Sequence, residues 1–474
     1  MSFDTVTFWL FFALAWTAWR ALPFGAAKTA VLAFSLFFYA WWNPWFCTLI
    51  AASSVVDYVV GARIHASDDA RVRKRWLLAS LVFNLGLLGF FKYTPFLAQN
   101  LAALVGGDWQ PDLSGWIVPV GISFYTFQTL SYSLDIHARR IAPAASFRDF
   151  FLYVSFFPQL VAGPIVRARE LLPQFARRRR LNARLVQAGL YHVIWGLFLK
   201  MVIADNLAPA VGRVFRPEGI GELAPLSVWL GVVYFSVQIF ADFAGYSGIA
   251  IGLAYLMGLR FPRNFRYPYI AAGLSDFWRR WHITLSEWLR DYLNIPLGGN
   301  RHGRVRMWMA LSLTMLLGGL WHGAAWTYVA WGALHSVGLI AERLLVGERR
   351  GTTAIGAPRG ASGWSARLAR MAVVYVFVLV TWVFFRAEDF AMAGAVLARM
   401  FTSPFSADWS LSASNWRYLA LVLPVFGMHA GQLFHEWFGL RKSAVLRAAV
   451  AALMLFALTV FRRGSTVEFI YFQF

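Results

Sequence analysis

His322 lies inside one of the most apolar stretches of the chain, in Gly318-Gly319-Leu320-Trp321-His322-Gly323. An ionisable side chain within a membrane segment is costly, so it points first to function. The competing reading is a neutral ring making one or two interhelical hydrogen bonds. Histidine suits chemistry in which a hydroxyl loses a proton near neutral pH: its unperturbed pKa is close to that pH, and desolvation keeps the ring neutral and basic. His282, beside Trp281, reads either as a second reacting ring or as a satisfied interfacial histidine. Asp242, within Phe240-Ala241-Asp242-Phe243-Ala244-Gly245-Tyr246, is another intramembrane charge, placed to orient a partner or cap a helix. His335 reads as packing. The basic loop Leu297-Gly298-Gly299-Asn300-Arg301-His302-Gly303-Arg304 is suited to the phosphates of a nucleotide-bearing donor. It matches neither a Walker loop nor a dinucleotide fingerprint. Gly245-Tyr246-Ser247-Gly248 lacks the G-x-S-x-G spacing, which argues against a serine hydrolase. His429 and His435-Glu436 lack the H-E-x-x-H spacing, and Cys47 is the single cysteine, so no metal site is expected.

Two elements must position these rings. The apolar run 307–340 is flanked by Arg306 and Arg343, which the positive-inside rule puts on the same side of the membrane. At 1.5 Å per residue the run reaches roughly 50 Å, enough for a hairpin with a deep apex but short of two full passes. The apex falls near residues 318–323, where three glycines permit a turn or a close backbone approach. A non-helical turn at that depth requires protein or a water-filled cavity around it. Residues 275–292 read as one amphipathic helix: Trp278, Trp281, Leu285, Trp288 and Tyr292 form an apolar stripe, with Arg279, Arg280, Glu287 and Arg290 elsewhere. Such a helix lies at an interface.

The whole chain supports that setting. Hydrophobic residues make up 59% and charged residues 14% of 474 positions, which excludes a water-soluble globular fold. Apolar runs long enough to cross a bilayer give about ten to twelve passes, all expected to be helical. The first run is followed by Arg20 and preceded by Asp4, so it reads as a retained helix instead of a signal peptide. A formal net charge of +21 raises nucleic acid as a partner, but the basic residues fall in short blocks between apolar runs, as positive-inside topology requires. No nucleic-acid role is expected. With no Pro/Gly/Ser-rich linker and no fixed-period repeat, one domain over 1–474 is the simplest reading, with a mobile cytoplasmic loop at 351–365.

From Asp242 to Ser336 the chain resembles the membrane-bound O-acyltransferase (MBOAT) superfamily, in particular its bacterial alginate O-acetyltransferase branch. The resemblance rests on Asp242-Phe243-Ala244-Gly245-Tyr246-Ser247, Phe261-Pro262-Arg263-Asn264-Phe265, Asp276-Phe277-Trp278-Arg279-Arg280-Trp281-His282, Ile295-Pro296-Leu297-Gly298-Gly299-Asn300-Arg301 and Gly319-Leu320-Trp321-His322-Gly323. Upstream, Ser123-Phe124-Tyr125-Thr126-Phe127-Gln128 and Phe156-Phe157-Pro158-Gln159 also match. The motif-rich core is 117–341. Gly248 and Ala244 depart from relatives that often carry an acidic residue and serine there.

That resemblance implies an all-α polytopic enzyme of the bacterial inner membrane, with the MBOAT fold and interfacial helices. It assigns His322 as catalytic base and His282 as a second catalytic site. It further implies acetyl-CoA as co-substrate with no bound cofactor, Asn300, Arg301, Trp321 and Asp242 as substrate-binding residues, and periplasmic acetyltransferase partners that serve an exported polysaccharide such as alginate. The aromatic tail 469–474 resembles that of D-alanyl export systems, making Tyr471 a candidate acyl relay or an aromatic interfacial anchor. Teichoic acid, peptidoglycan and cellulose stay open as acceptors. A small-solute transporter is the reading from another class, although the paired broken helices of transporters are not evident.

Overall fold

The computed structural model describes residues 1–106, 112–113, 115–161, 163–216, 219–346, 360–401, 413–438 and 444–461. Every regular element among them is helical, the outcome expected where lipid offers the backbone no hydrogen-bond partner. Six helices are long and apolar enough to cross a membrane: Phe46–Ala66, Ala70–Val105, Ala183–Val214, Pro225–Leu256, Trp326–Val346 and Ser362–Arg386. Phe24–Ala40, Phe390–Phe401 and Val445–Phe461 are shorter apolar helices. The protein is therefore an all-α, multi-pass membrane protein. Of the loop expected at 351–365, residues 351–359 lie outside the described set, and a helix begins at Gly360.

The chain divides into two compact units, Met1–Val193 with Tyr246–Pro262, and Ile194–Gly245 with Arg263–Phe474. No linker marks the division in the sequence because two of its boundaries fall inside the helices Ala183–Leu197 and Pro225–Leu256.

In the first unit, Thr5 caps the helix Val6–Ala21 by accepting from the Phe8 N–H. Leu10, Leu14, Val82 and Leu85 are exposed apolar side chains of its helices, as a lipid-facing surface requires. Its interior holds a fully buried carboxylate, Asp57 on Phe46–Ala66. Oδ1 accepts from the hydroxyls of Ser80 and Ser133, and Oδ2 accepts from the Asn84 amide at 2.7 Å. A buried polar group survives only with such a shell, so three helices are tied to one side chain.

In the second unit the hairpin forms as expected but is longer. Its arms are the helices Gly303–His322 and Trp326–Val346, of 20 and 21 residues, each about 30 Å long at 1.5 Å per residue. The run 307–340 underestimates them because helix continues through Arg304 and Arg306 at one end and Glu342 and Arg343 at the other. The glycines divide their work. A Cβ on Gly319 would strike the Tyr328 carbonyl, and one on Gly332 would strike the Met315 carbonyl, so these two permit the arms to cross closely. Gly323 ends the first arm in an extended conformation, with the Tyr328 ring where its Cβ would be. Gly332→Val is expected to destabilise the protein by about 3 kcal/mol, because backbone atoms cannot swing aside as side chains can. Thermal melts of the detergent-purified protein measure this, and an unchanged melting temperature contradicts the close crossing.

The expected single helix over 275–292 is not formed. The segment is two short helices, Leu274–Trp278 and Ile283–Leu289, followed by a π turn at Arg290–Asn294. His282 breaks it, with φ 41 and ψ 56 in the left-handed region that a non-glycine residue seldom adopts. The apolar stripe is also buried in protein instead of lying on a lipid interface: Trp281, Leu285 and Trp288 are buried, and Trp281 packs against Phe277 and Trp382. Helical periodicity identifies residues that share a face, and two short helices with a kink satisfy it as well as one long helix.

Candidate active site

His322 is the last residue of the hairpin's first arm, and the N–H of Gly323 closes that helix onto the Gly319 carbonyl at 3.3 Å. The side chain is buried, enclosed by the rings of Trp321 at 5.1 Å, Trp331 at 5.2 Å and Phe385 at 5.3 Å between centroids. His282 is 6.3 Å from it by the same measure. The two rings that sequence singled out are thus neighbours, although 40 positions separate them. The hairpin supplies one, and the kink between two short helices supplies the other.

Asn264 sets the second ring. Its backbone carbonyl accepts from the Ile283 N–H at 2.8 Å, and its side-chain oxygen contacts His282 Nδ1 at 3.0 Å and Thr284 Oγ1 at 3.0 Å. Full burial pushes the His282 imidazole down to about 3, so the ring is neutral throughout the range in which enzymes work. Glu342, near the end of the second arm, accepts from the Ser275 N–H at 2.9 Å and holds the start of Leu274–Trp278 against the hairpin. An acidic side chain at a helix N-terminus is favoured by the helix dipole.

His322 lines a cavity of about 810 Å³. Arg266, Arg279, Arg280, Arg290, Arg343 and Arg367 also line it, against the carboxylates of Asp276 and Glu287. The apolar part of the wall comes from Leu289, Leu311, Met315 and Trp331. Arg279 and Arg290 are 41% and 57% exposed at their side chains, whereas His322 is 3% exposed, so the cavity joins solvent-accessible guanidiniums to the buried ring. Guanidiniums pair with phosphates in bidentate fashion, and a mixed apolar and cationic wall suits a polyanion with an apolar reactive end.

The remaining sequence candidates fall elsewhere. Trp321 is buried against both histidines, 6.0 Å from His282 and 5.1 Å from His322, and is not among the residues that line the cavity. Asp242 is buried in an ion-pair group with Lys200 and Asp205, away from the cavity lining. Asn300 and Arg301 sit on an exposed turn and are not among the residues that line this cavity. A Gly-rich basic turn in sequence does not tell which way its side chains face. His335 packs among Phe277, Trp278 and Trp331, with Nε2 3.2 Å from Thr381 Oγ1. Tyr471 and the tail 469–474 lie outside the described residues. Sequence reasoning gave no role to Asn264, Lys200 or the cavity arginines. The arginines were legible only as topology signals, because they come from four separate stretches.

The sequence profile of the membrane-bound O-acyltransferase family matches residues 29–385, which takes in the hairpin, both histidines and the cavity. The chain belongs to the MBOAT family. It is 39% identical over 388 residues to the protein named alginate O-acetylase AlgI of Azotobacter vinelandii, covering 81% of this chain and 74% of that protein. It is also 36% identical to the peptidoglycan O-acetyltransferase of Helicobacter pylori, with 77% and 72% covered. The teichoic acid D-alanyltransferase of Bacillus subtilis is 30% identical over 46% of this chain and 57% of its own length. As an MBOAT protein the chain is a membrane O-acyltransferase, which removes the transporter reading. The alginate-type resemblance read from the motifs agrees with the A. vinelandii comparison.

Proposed function

We propose that this MBOAT protein, seated in the bacterial inner membrane, takes an acetyl group from acetyl-CoA at the cytoplasmic face and delivers it for O-acetylation of an exported cell-envelope polysaccharide, of which alginate is the first candidate. The observation that carries this reading is the arginine-lined cavity ending on buried His322. The names of the relatives, which act on alginate, peptidoglycan and teichoic acid, support the polymer class. A polyanionic donor gains from the guanidiniums, and its acyl end meets a dry site where a neutral imidazole remains basic.

In the proposed step, the accepting hydroxyl gives its proton to His322 as its oxygen attacks the thioester carbonyl carbon. The tetrahedral intermediate collapses with cleavage of the C–S bond, and the imidazolium returns the proton to the departing thiolate. The products are an O-acetyl ester and free CoA. His282 is the second reacting-site residue and Trp321 shapes the pocket behind both rings. A periplasmic acetyltransferase partner completes delivery where the polymer does not reach the site directly.

Purified protein in nanodiscs, given acetyl-labelled CoA and the acceptor polysaccharide with its partner, tests this by formation of an alkali-labile labelled ester. If label moves across a vesicle membrane but no ester forms, the reading is wrong. Arg279→Gln with Arg290→Gln is expected to raise KM for acetyl-CoA about tenfold, equivalent to about 1.4 kcal/mol, with kcat largely retained. A KM equal to wild type removes these arginines from donor binding.

A further inference from the structure

The amide orientation of Asn264 fixes more than a contact. Its Oδ1 faces the backbone N–H of Thr284 at 3.4 Å as well as Thr284 Oγ1 and His282 Nδ1. A backbone N–H can only donate, so the amide atom turned towards it must be the oxygen. Flipping the amide would set an NH₂ against that N–H. The oxygen in turn requires a donor from the imidazole, so Nδ1 carries the hydrogen. A neutral ring has one N–H, and its other nitrogen is then an acceptor only. His282 Nε2 is fully buried and meets no hydrogen-bond donor among the described residues.

The rings around His282 are those of Phe243, Phe265, Trp321 and His322, of which His322 alone titrates. The left-handed backbone at residue 282 and the Ile283 N–H bond to the Asn264 carbonyl hold the ring in this setting from both sides. Strained backbone is retained where the surroundings over-determine it, and at reacting sites it commonly serves to fix geometry in advance.

We infer that Asn264 is a positioning residue that locks His282 in the Nδ1–H tautomer, so that His282 meets the acyl-accepting molecule through Nε2 only as a hydrogen-bond acceptor. It therefore serves the acceptor side of the reaction and does not donate to the oxyanion of the tetrahedral intermediate. This rests on the acyl-transfer reading above. His322 takes the proton of the attacking hydroxyl, and His282 accepts from a different hydrogen-bond donor of the acceptor molecule, so the two rings do not compete for one hydrogen.

The tautomer is measurable without turnover. Protein labelled with ¹⁵N-histidine in nanodiscs, with the His282 resonances assigned by their loss in His282→Gln, is expected to show a protonated Nδ1 and a bare Nε2. An Nε2–H tautomer overturns the inference, whether or not the enzyme is active. A second arm uses two variants whose folding is checked by thermal melts. Asn264→Asp keeps an acceptor for all three donors but adds a charge that favours imidazolium, so the ¹⁵N spectrum should show the His282 ring taking its second proton at a higher pH than in wild type. Asn264→Leu removes the acceptor, and kcat should fall about a hundredfold with KM for acetyl-CoA unchanged. If folded Asn264→Asp leaves the His282 ¹⁵N titration superimposable on wild type, the positioning role is wrong. If wild type makes no ester while the tautomer is as stated, the acyl-transfer reading fails and the tautomer assignment stands.

Discussion

Replacing His322 by alanine is expected to lower kcat for acetyl transfer by roughly a hundred- to ten-thousand-fold, with KM for acetyl-CoA little changed. That range is what a positioned general base contributes to a proton transfer. In the proposed reading the guanidiniums elsewhere on the cavity wall hold the donor, so truncating the ring should spare donor binding. His322 is also packed among Trp321, Trp331 and Phe385, and alanine leaves a void there. His322→Gln keeps most of that volume and an amide in place of the ring, so it separates loss of packing from loss of the base. Both variants should lose activity, and the glutamine variant should melt closer to wild type. Wild-type rates in a well-expressed His322→Ala protein would remove the histidine from the mechanism.

The second large effect falls on stability. Lys200 Nζ lies 2.9 Å from Asp205 and 2.9 Å from Asp242, and all three side chains are at most 6% exposed. Lys200→Met removes the ammonium that both buried carboxylates contact. Breaking a buried pair from one side costs about 3–5 kcal/mol, since the stranded charge loses its partner without regaining water. Lys200→Met should therefore melt far below wild type or fail to accumulate. Adding Asp205→Asn and Asp242→Asn to it removes the stranded charges and should restore most of the melting temperature. If the triple variant melts no higher than Lys200→Met, the loss comes from packing instead of charge.

Membrane class, all-helical architecture and the location of His322 were legible in the sequence because each rests on a local property. Twenty apolar residues must cross lipid as a helix, and a titratable ring in such a run is visible without any fold. The hairpin was legible for the same reason, from basic residues at both ends of one run, and only its reach was underestimated. Its glycines were also found, but their task was not: Gly319 and Gly332 face each other's helix across the crossing, a relation that local spacing does not contain.

The segment 275–292 marks where local reasoning stops. Its apolar stripe was read correctly as a shared face, but the helix it suggested is broken by the left-handed His282. Asn264, 18 positions away, bonds to that ring and gives it a setting that no helical period predicts. The Asn300-Arg301 turn has a composition that suits phosphate and is exposed, while arginines scattered from Arg266 to Arg367 line the cavity.

By itself, then, the sequence determined a multi-pass helical membrane protein with a histidine at the end of a buried arm, because hydropathy and charge act along the chain. Tertiary structure alone decided that His282 neighbours His322, that Asn264 governs the ring, and that six arginines from four separate stretches share one cavity wall. Those are properties of helix crossings and of a kinked loop, set by which surfaces meet, and no periodicity within one segment encodes its partner in another.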